Sequence, residues 1–266
     1  MALPCIEPRT SKKKYKMVKS LSQLKVKIFA DGANIDSIKS MSKLSYIKGF
    51  TTNPTLMKKS NIKDYKDFAL EALKIVQNKP ISFEVFADEI DEMENQAREI
   101  NSWGKNIFIK IPVTNTKGES TANLISKLSN SGILCNVTAI FTKEQIFKII
   151  EKINIDSKMI LSVFAGRIAD SGIDPVPVMQ DIIYTLRDYK NIELLWASPR
   201  ELLNIFQADQ VGCHIITVAD DLLKKLNNIG KDLNEFSLET VSMFYNDAQA
   251  AGYKINSNLT NKKNFN

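Results

Sequence analysis

The chain has 266 residues, 44% of them hydrophobic and 25% charged, with a formal net charge of +6. That length suits one barrel or two smaller domains, and the basic balance fits phosphorylated ligands as well as nucleic acid. One histidine (His214) and three cysteines (Cys5, Cys135, Cys213) with no CxxC spacing exclude a multi-histidine zinc site, a zinc knuckle and a disulfide framework.

Residues 1–24 carry the basic run Ser11–Lys16 and read as a flexible, solvated extension rather than a nucleic-acid arm. The extension lacks the apolar stretch of a secretory signal, and no later run is long enough to span a bilayer, so a cytoplasmic protein with no membrane partner is expected. From Lys25 onward, short runs rich in β-branched and aromatic residues alternate with helix-period stretches. Strands are expected at Lys27–Asp31, Tyr46–Thr52, Ile81–Ala87 and Asn106–Pro112, then at Ile133–Thr138, Met159–Phe164, Ile192–Ala197 and Cys213–Val218. Between them, Ile62–Gln77 places Tyr65, Phe68, Ala69, Ala72 and Ile75 at helical spacing, and Thr121–Ser129 does the same with Leu124, Ile125 and Leu128. Thr142 opens a helix with a capping box to Gln145. Further helices are expected at Val176–Tyr189 and Glu201–Ala208, at Asp221–Leu226 capped by Asp220, and from about Leu238 to Ala251.

Strand and helix alternating about eight times is the pattern of an α/β chain folded as a single (β/α)₈ TIM barrel, here over 25–255, with a C-terminal helix and a tail at 256–266. A doubly wound open sheet is the alternative, but Asp31-Gly-Ala-Asn34 follows the first strand where a Gly-x-Gly-x-x-Gly would stand.

In such a barrel the C-terminal strand ends build the site. The strands and their ends offer Asp31, Asn53, Glu84, Lys110, Asn136, Thr138, Ser162, Arg167, Ser198 and Arg200. Lys110 stands out, because Ile107, Phe108, Ile109, Ile111 and Pro112 surround it and lysine is rarely buried unpaired. It shares a strand face with Phe108 and Pro112, which points either at helices or into the barrel. Burial disfavours a charged amine, and a neutral amine attacks carbonyls. Each residue also has a plain structural reading. Asp31 alone suggests a helix cap, Glu84 with Lys110 an ion pair, Phe164 core, and the arginines surface charge. Their convergence on strand ends favours a site. A histidine in the apolar run Cys213–Thr217 reads as a packed or hydrogen-bonded strand residue, not a catalytic one.

The segments Phe29-Ala-Asp-Gly-Ala-Asn34, Gly49-Phe-Thr-Thr-Asn-Pro-Thr-Leu56, Ser82-Phe-Glu-Val85 and Ile109-Lys-Ile-Pro-Val113 resemble the transaldolase family. So do Cys135-Asn-Val-Thr138, Ser162-Val-Phe-Ala-Gly-Arg-Ile168, Ala197-Ser-Pro-Arg200 and Glu239-Thr-Val-Ser-Met-Phe-Tyr245, and the resemblance runs from about Lys25 to Tyr253. It implies a Schiff base on Lys110, Asp31 as proton acceptor, and Glu84 with Thr138 holding a water. It implies that Asn53, Asn136 and Ser162 bind sugar hydroxyls and that Arg167, Arg200 and Ser198 bind phosphate. It further implies phosphorylated sugars of the pentose phosphate pathway as substrates, no metal or organic cofactor, and a homo-oligomer. Fructose 6-phosphate aldolases of this group carry glutamine at the place of Glu84 and tyrosine at that of Phe164, so the pair here is transferase-like. Gly32 and Pro199 depart from the family pattern, where threonine and phenylalanine are frequent.

Overall fold

The computed structural model describes residues 20–255; Cys5, the run Ser11–Lys16 and the tail 256–266 lie outside the described residues. Eight strands form a closed, all-parallel barrel in sequence order: β1 (Lys27–Asp31), β2 (Ile47–Thr51), β3 (Ile81–Glu84), β4 (Ile107–Pro112), β5 (Cys135–Ile140), β6 (Met159–Val163), β7 (Ile192–Trp196) and β8 (Ile215–Ala219), which returns to β1. The fold is the expected (β/α)₈ barrel. Its strands are buried on both faces, which is why they read as near-continuous apolar runs.

Helices follow the strands: α1 (Ile35–Ser42), α2 (Pro54–Lys59), α3 (Tyr65–Val76), α4 (Ile90–Ser102), α5 (Ala122–Asn130), α6 (Lys143–Ile150), α7 (Ala165–Asp170), α8 (Pro175–Thr185), α9 (Leu203–Val211) and α10 (Asp220–Leu223). The capping box at Thr142 and Gln145 forms as the spacing predicts. Other boundaries are corrected by capping chemistry. The stretch from Ile62 becomes helical only at Tyr65, where the Asp64 carboxylate accepts from Asp67 N at 2.8 Å. Asp220 does not cap its helix; it is the first helical residue and pairs with Lys224 one turn on, at 2.8 Å. Helices α1 and α4 lie where no helix was expected. Their apolar stripes are thin, with Ile38 and Met41 buried in α1 and Met93, Ala97 and Ile100 in α4.

Beyond Asn227 the chain enters a second compact unit, whose described part holds α11 (Leu233–Ala250). The helix starts at Leu233 rather than Leu238, because the Asp232 carboxylate accepts from Asn234 N at 2.8 Å and Glu235 N at 3.2 Å. None of its side chains is buried.

The lower part of the barrel interior is an apolar plug of Phe29, Phe108, Ile160, Leu195, Ala197 and Ile215, with Leu134 and Phe164 packed against it. Phe29 fits because β2 offers Gly49 beside it, where a Cβ would stand 2.5 Å from the ring. Burying one such aromatic contributes roughly 1.5–3 kcal/mol. Cys135 and Cys213 are buried free thiols, both pushed up to about 12 by loss of hydration.

Candidate active site

Strand alternation places Lys110 one inward position above Phe108 on β4, so it enters the barrel rather than facing the helices. It is 6% exposed. Its Nζ meets Glu84 Oε2 at 3.0 Å and donates to Thr52 O at 2.8 Å. Glu84 is its register partner on β3, and Asn136 its partner on β5. A lysine head buried this deeply needs such partners to offset its lost hydration.

Around Lys110 opens a cavity of about 480 Å³ at the C-terminal ends of the strands. Asp31, Asn53, Glu84, Thr138, Ser162, Phe164, Arg167 and Ser198 all line it with Lys110. Asp31 is not a helix cap; that work falls to Asn34, whose side chain accepts from Ser37 N at 2.9 Å. Instead, Asp31 Oδ1 accepts from Thr51 Oγ1 at 2.8 Å, and Thr51 in turn bonds Thr217. Burial raises the Asp31 carboxyl above its ordinary range, and Lys110 and the Thr51 hydrogen bond only partly counter that. Asn53 caps α2 through Leu56 N at 2.9 Å while also lining the cavity. Thr138 Oγ1 is buried and, like Trp196 Nε1, has no hydrogen-bond partner among the described residues.

Two expected site residues stand elsewhere. Asn136 is fully buried beneath the cavity floor, donating to Ser82 Oγ at 3.0 Å and accepting from Ser162 Oγ at 2.7 Å. Arg200 is not at a strand end; it follows β7 on a loop, and its exposed guanidinium pairs with Asp170, Nε to Oδ1 at 3.0 Å. Arg167 likewise lies on α7, not at the end of β6, and its guanidinium sits 5.5 Å from the centre of the Phe164 ring. The ring itself tilts against Phe141 at 5.8 Å. The rim is tight here, since a Cβ on Gly166 would fall 1.5 Å from Ser198 O, and Ser198 adopts φ of 57°.

The motif reading leaves aside Thr51 and Thr217, both buried cavity-lining hydroxyls. Thr217 follows from alternation once the plug fixes the inward face, since it stands two residues above the plug residue Ile215 on β8. His214 precedes β8, where its Nδ1 accepts from Leu194 N at 2.9 Å. Among the described residues no group of three His, Cys, Asp or Glu side chains is arranged to hold a metal ion, and no helix is long and apolar enough to cross a membrane. The cavity therefore combines an amine between a carboxylate and a carbonyl, a second carboxyl whose pKa burial raises, and a guanidinium at the mouth. Such a set suits a carbonyl compound with an anionic end.

Residues 28–264 match the family model described as Transaldolase/Fructose-6-phosphate aldolase. The chain is 35% identical over 231 residues to a "Probable transaldolase" of Thermoanaerobacter sp. (strain X514), covering 86% of this chain and 100% of that one. It is 35% identical over 202 residues to a "Probable transaldolase" of Dehalococcoides mccartyi, with 76% and 90% covered. Among solved structures, 2,3-dimethylmalate lyase matches with a TM-score of 0.50 at 10% identity, covering 91% of this chain and 89% of that one. A native KDPGal structure matches with a TM-score of 0.50 at 11% identity, covering 87% and 98%. These two likenesses are of fold alone.

Proposed function

The chain belongs to the transaldolase/fructose-6-phosphate aldolase family, and from that membership we propose that it transfers a dihydroxyacetone unit between phosphorylated sugars through an imine on Lys110. The reaction so read takes sedoheptulose 7-phosphate and glyceraldehyde 3-phosphate to erythrose 4-phosphate and fructose 6-phosphate. The observation that carries it is the buried Lys110 Nζ at the cavity floor, held by Glu84 Oε2 at 3.0 Å and Thr52 O at 2.8 Å.

In this reading the Lys110 amine adds to the C2 ketone of the donor and water leaves, giving the imine. Asp31 takes the proton of the C4 hydroxyl, and the C3–C4 bond breaks. The aldehyde phosphate departs and the electron pair stays as an enamine on Lys110. The enamine carbon then attacks the aldehyde of the acceptor, Asp31 returns its proton to the new hydroxyl, and water hydrolyses the imine. A carboxyl raised by burial is suited to give a proton back as well as to take it. Glu84 and the unpartnered hydroxyl of Thr138 would hold the water. Ser162 and Asn53 would meet sugar hydroxyls, with Asn136 acting from below through its bond to Ser162. Arg167 and Ser198 would meet the phosphate at the mouth, which Arg200 joins only by leaving Asp170.

Incubation with fructose 6-phosphate and borohydride, followed by peptide mapping, should place a reduced adduct on Lys110; no adduct there refutes the imine. Turnover that requires erythrose 4-phosphate as acceptor supports transfer. Free dihydroxyacetone released at a comparable rate would make the enzyme a lyase instead. Glu84→Gln and Phe164→Tyr should raise that released share.

A further inference from the structure

A parallel ladder alternates its bonds evenly along the two strands. Between β2 and β3 it runs Phe50 N to Pro80 O at 2.8 Å, then Thr52 N to Ser82 O at 3.2 Å. The next rung would join Glu84 N to Thr52 O. That rung is missing. Thr52 O accepts instead from Lys110 Nζ at 2.8 Å. Glu84 N donates to the hydroxyl of Tyr65 at 2.8 Å, and the same hydroxyl donates to Glu84 O at 3.0 Å. Tyr65, the first residue of α3, thus satisfies both backbone groups of Glu84 from outside the barrel. Its ring is fixed edge-on by Phe83 at 6.0 Å and by Trp103 at 5.5 Å. The hydroxyl is deeply shielded, which holds its proton and keeps it a donor.

We propose that Tyr65 is the positioning residue that holds the β2–β3 seam open at Glu84, so that the Thr52 carbonyl is free to bind the Lys110 amine. Tyr65 touches neither substrate nor Lys110; it acts by replacing a ladder rung. Without its hydroxyl, Glu84 N lacks a partner, and a buried N–H does not stay unpaired when an acceptor lies across the seam. The rung then closes onto Thr52 O, where the Glu84 N–H competes with Lys110 Nζ for the carbonyl. The catalytic meaning rests on the imine reading above, whereas the exchange of hydrogen bonds does not.

The test is Tyr65→Phe, which keeps the ring packing. Lys110 is labelled with acetic anhydride in the absence of sugar, and the labelled peptide is quantified. Loss of one hydrogen bond that holds the amine should make labelling about tenfold faster, while kcat falls by about a hundredfold through misplacement of the amine with KM little changed. Trp103→Phe serves as the control, since it loosens the same ring cluster but keeps the hydroxyl. It should lower Tm and leave the labelling rate at the wild-type value. An unchanged labelling rate in Tyr65→Phe overturns the proposal, and so does an equal acceleration in Trp103→Phe. If the wild type never traps fructose 6-phosphate, the transferase reading fails, and the labelling result still decides the role of Tyr65.

Discussion

Lys110 stands two positions along β4 from Phe108, and that step takes the barrel interior from an apolar plug to a layer of charges and hydroxyls. The same contrast recurs on β1 between Phe29 and Asp31, on β6 between Ile160 and Ser162, and on β8 between Ile215 and Thr217. In the lower layer apolar burial stabilises the barrel. In the upper layer the buried polar groups other than Thr138 Oγ1 are matched, and the matching is local: Glu84 and Thr52 for Lys110, Thr51 for Asp31, Ser82 and Ser162 for Asn136. The layers should therefore fail differently when altered.

The largest expected effect is Lys110→Met, with activity lost by on the order of 10⁴-fold or more in a coupled transfer assay; appreciable residual turnover would place the chemistry elsewhere. Phe108→Ala below it should cost about 3–5 kcal/mol in urea denaturation while the folded fraction keeps its kcat within a few-fold. Equal damage to kcat per folded molecule would break the division between layers. Arg167→Ala should lower kcat/KM for phosphorylated donors by roughly a hundredfold, the scale of one charged hydrogen-bonding group. Arg200→Ala removes an exposed ion pair of about 0–1 kcal/mol and should change kcat/KM far less; the reverse order would exchange the two arginines' roles. A small effect on stability concerns Asp31. Its folded pKa is raised, so its contribution to stability is fully present below the unfolded pKa and is lost as pH rises through the folded value. Asp31→Asn, which imitates the neutral form, should thus raise Tm slightly at neutral pH and give no gain in acid, while abolishing transfer. The acid limb of the wild-type kcat/KM should also sit above the ordinary carboxylate range.

Much of the barrel was legible because its strands are short, apolar and bounded by polar residues, and Lys110 was conspicuous against Ile109 and Ile111. Alternation leaves open which face is inward; the plug decides it, since Phe108 belongs to the interior cluster. Helices with few apolar residues, such as α4 with Met93, Ala97 and Ile100, are easily passed over although those residues keep helical spacing. The upper layer was harder still. Arg200 falls near a strand end in the sequence yet points to Asp170, because side-chain direction after a strand ends is set by the turn, whereas Asn136 lies near the start of β5 and is a buried bridge. Tyr65 has the spacing of an ordinary core residue on α3, and nothing in its neighbours announces that its hydroxyl reaches another strand's backbone.

The plug has a kinetic consequence. Because Phe29, Phe108, Ile160, Leu195 and Ile215 close the barrel below the lysine, the cavity is a cup with a single mouth and not a tube. Under the proposed transfer, donor and acceptor must use the same doorway in turn, and the first product has to vacate it before the second reactant enters. Initial-rate plots against one sugar at several levels of the other should then be parallel lines, and the departing aldehyde phosphate should compete with the incoming acceptor for the same enzyme form.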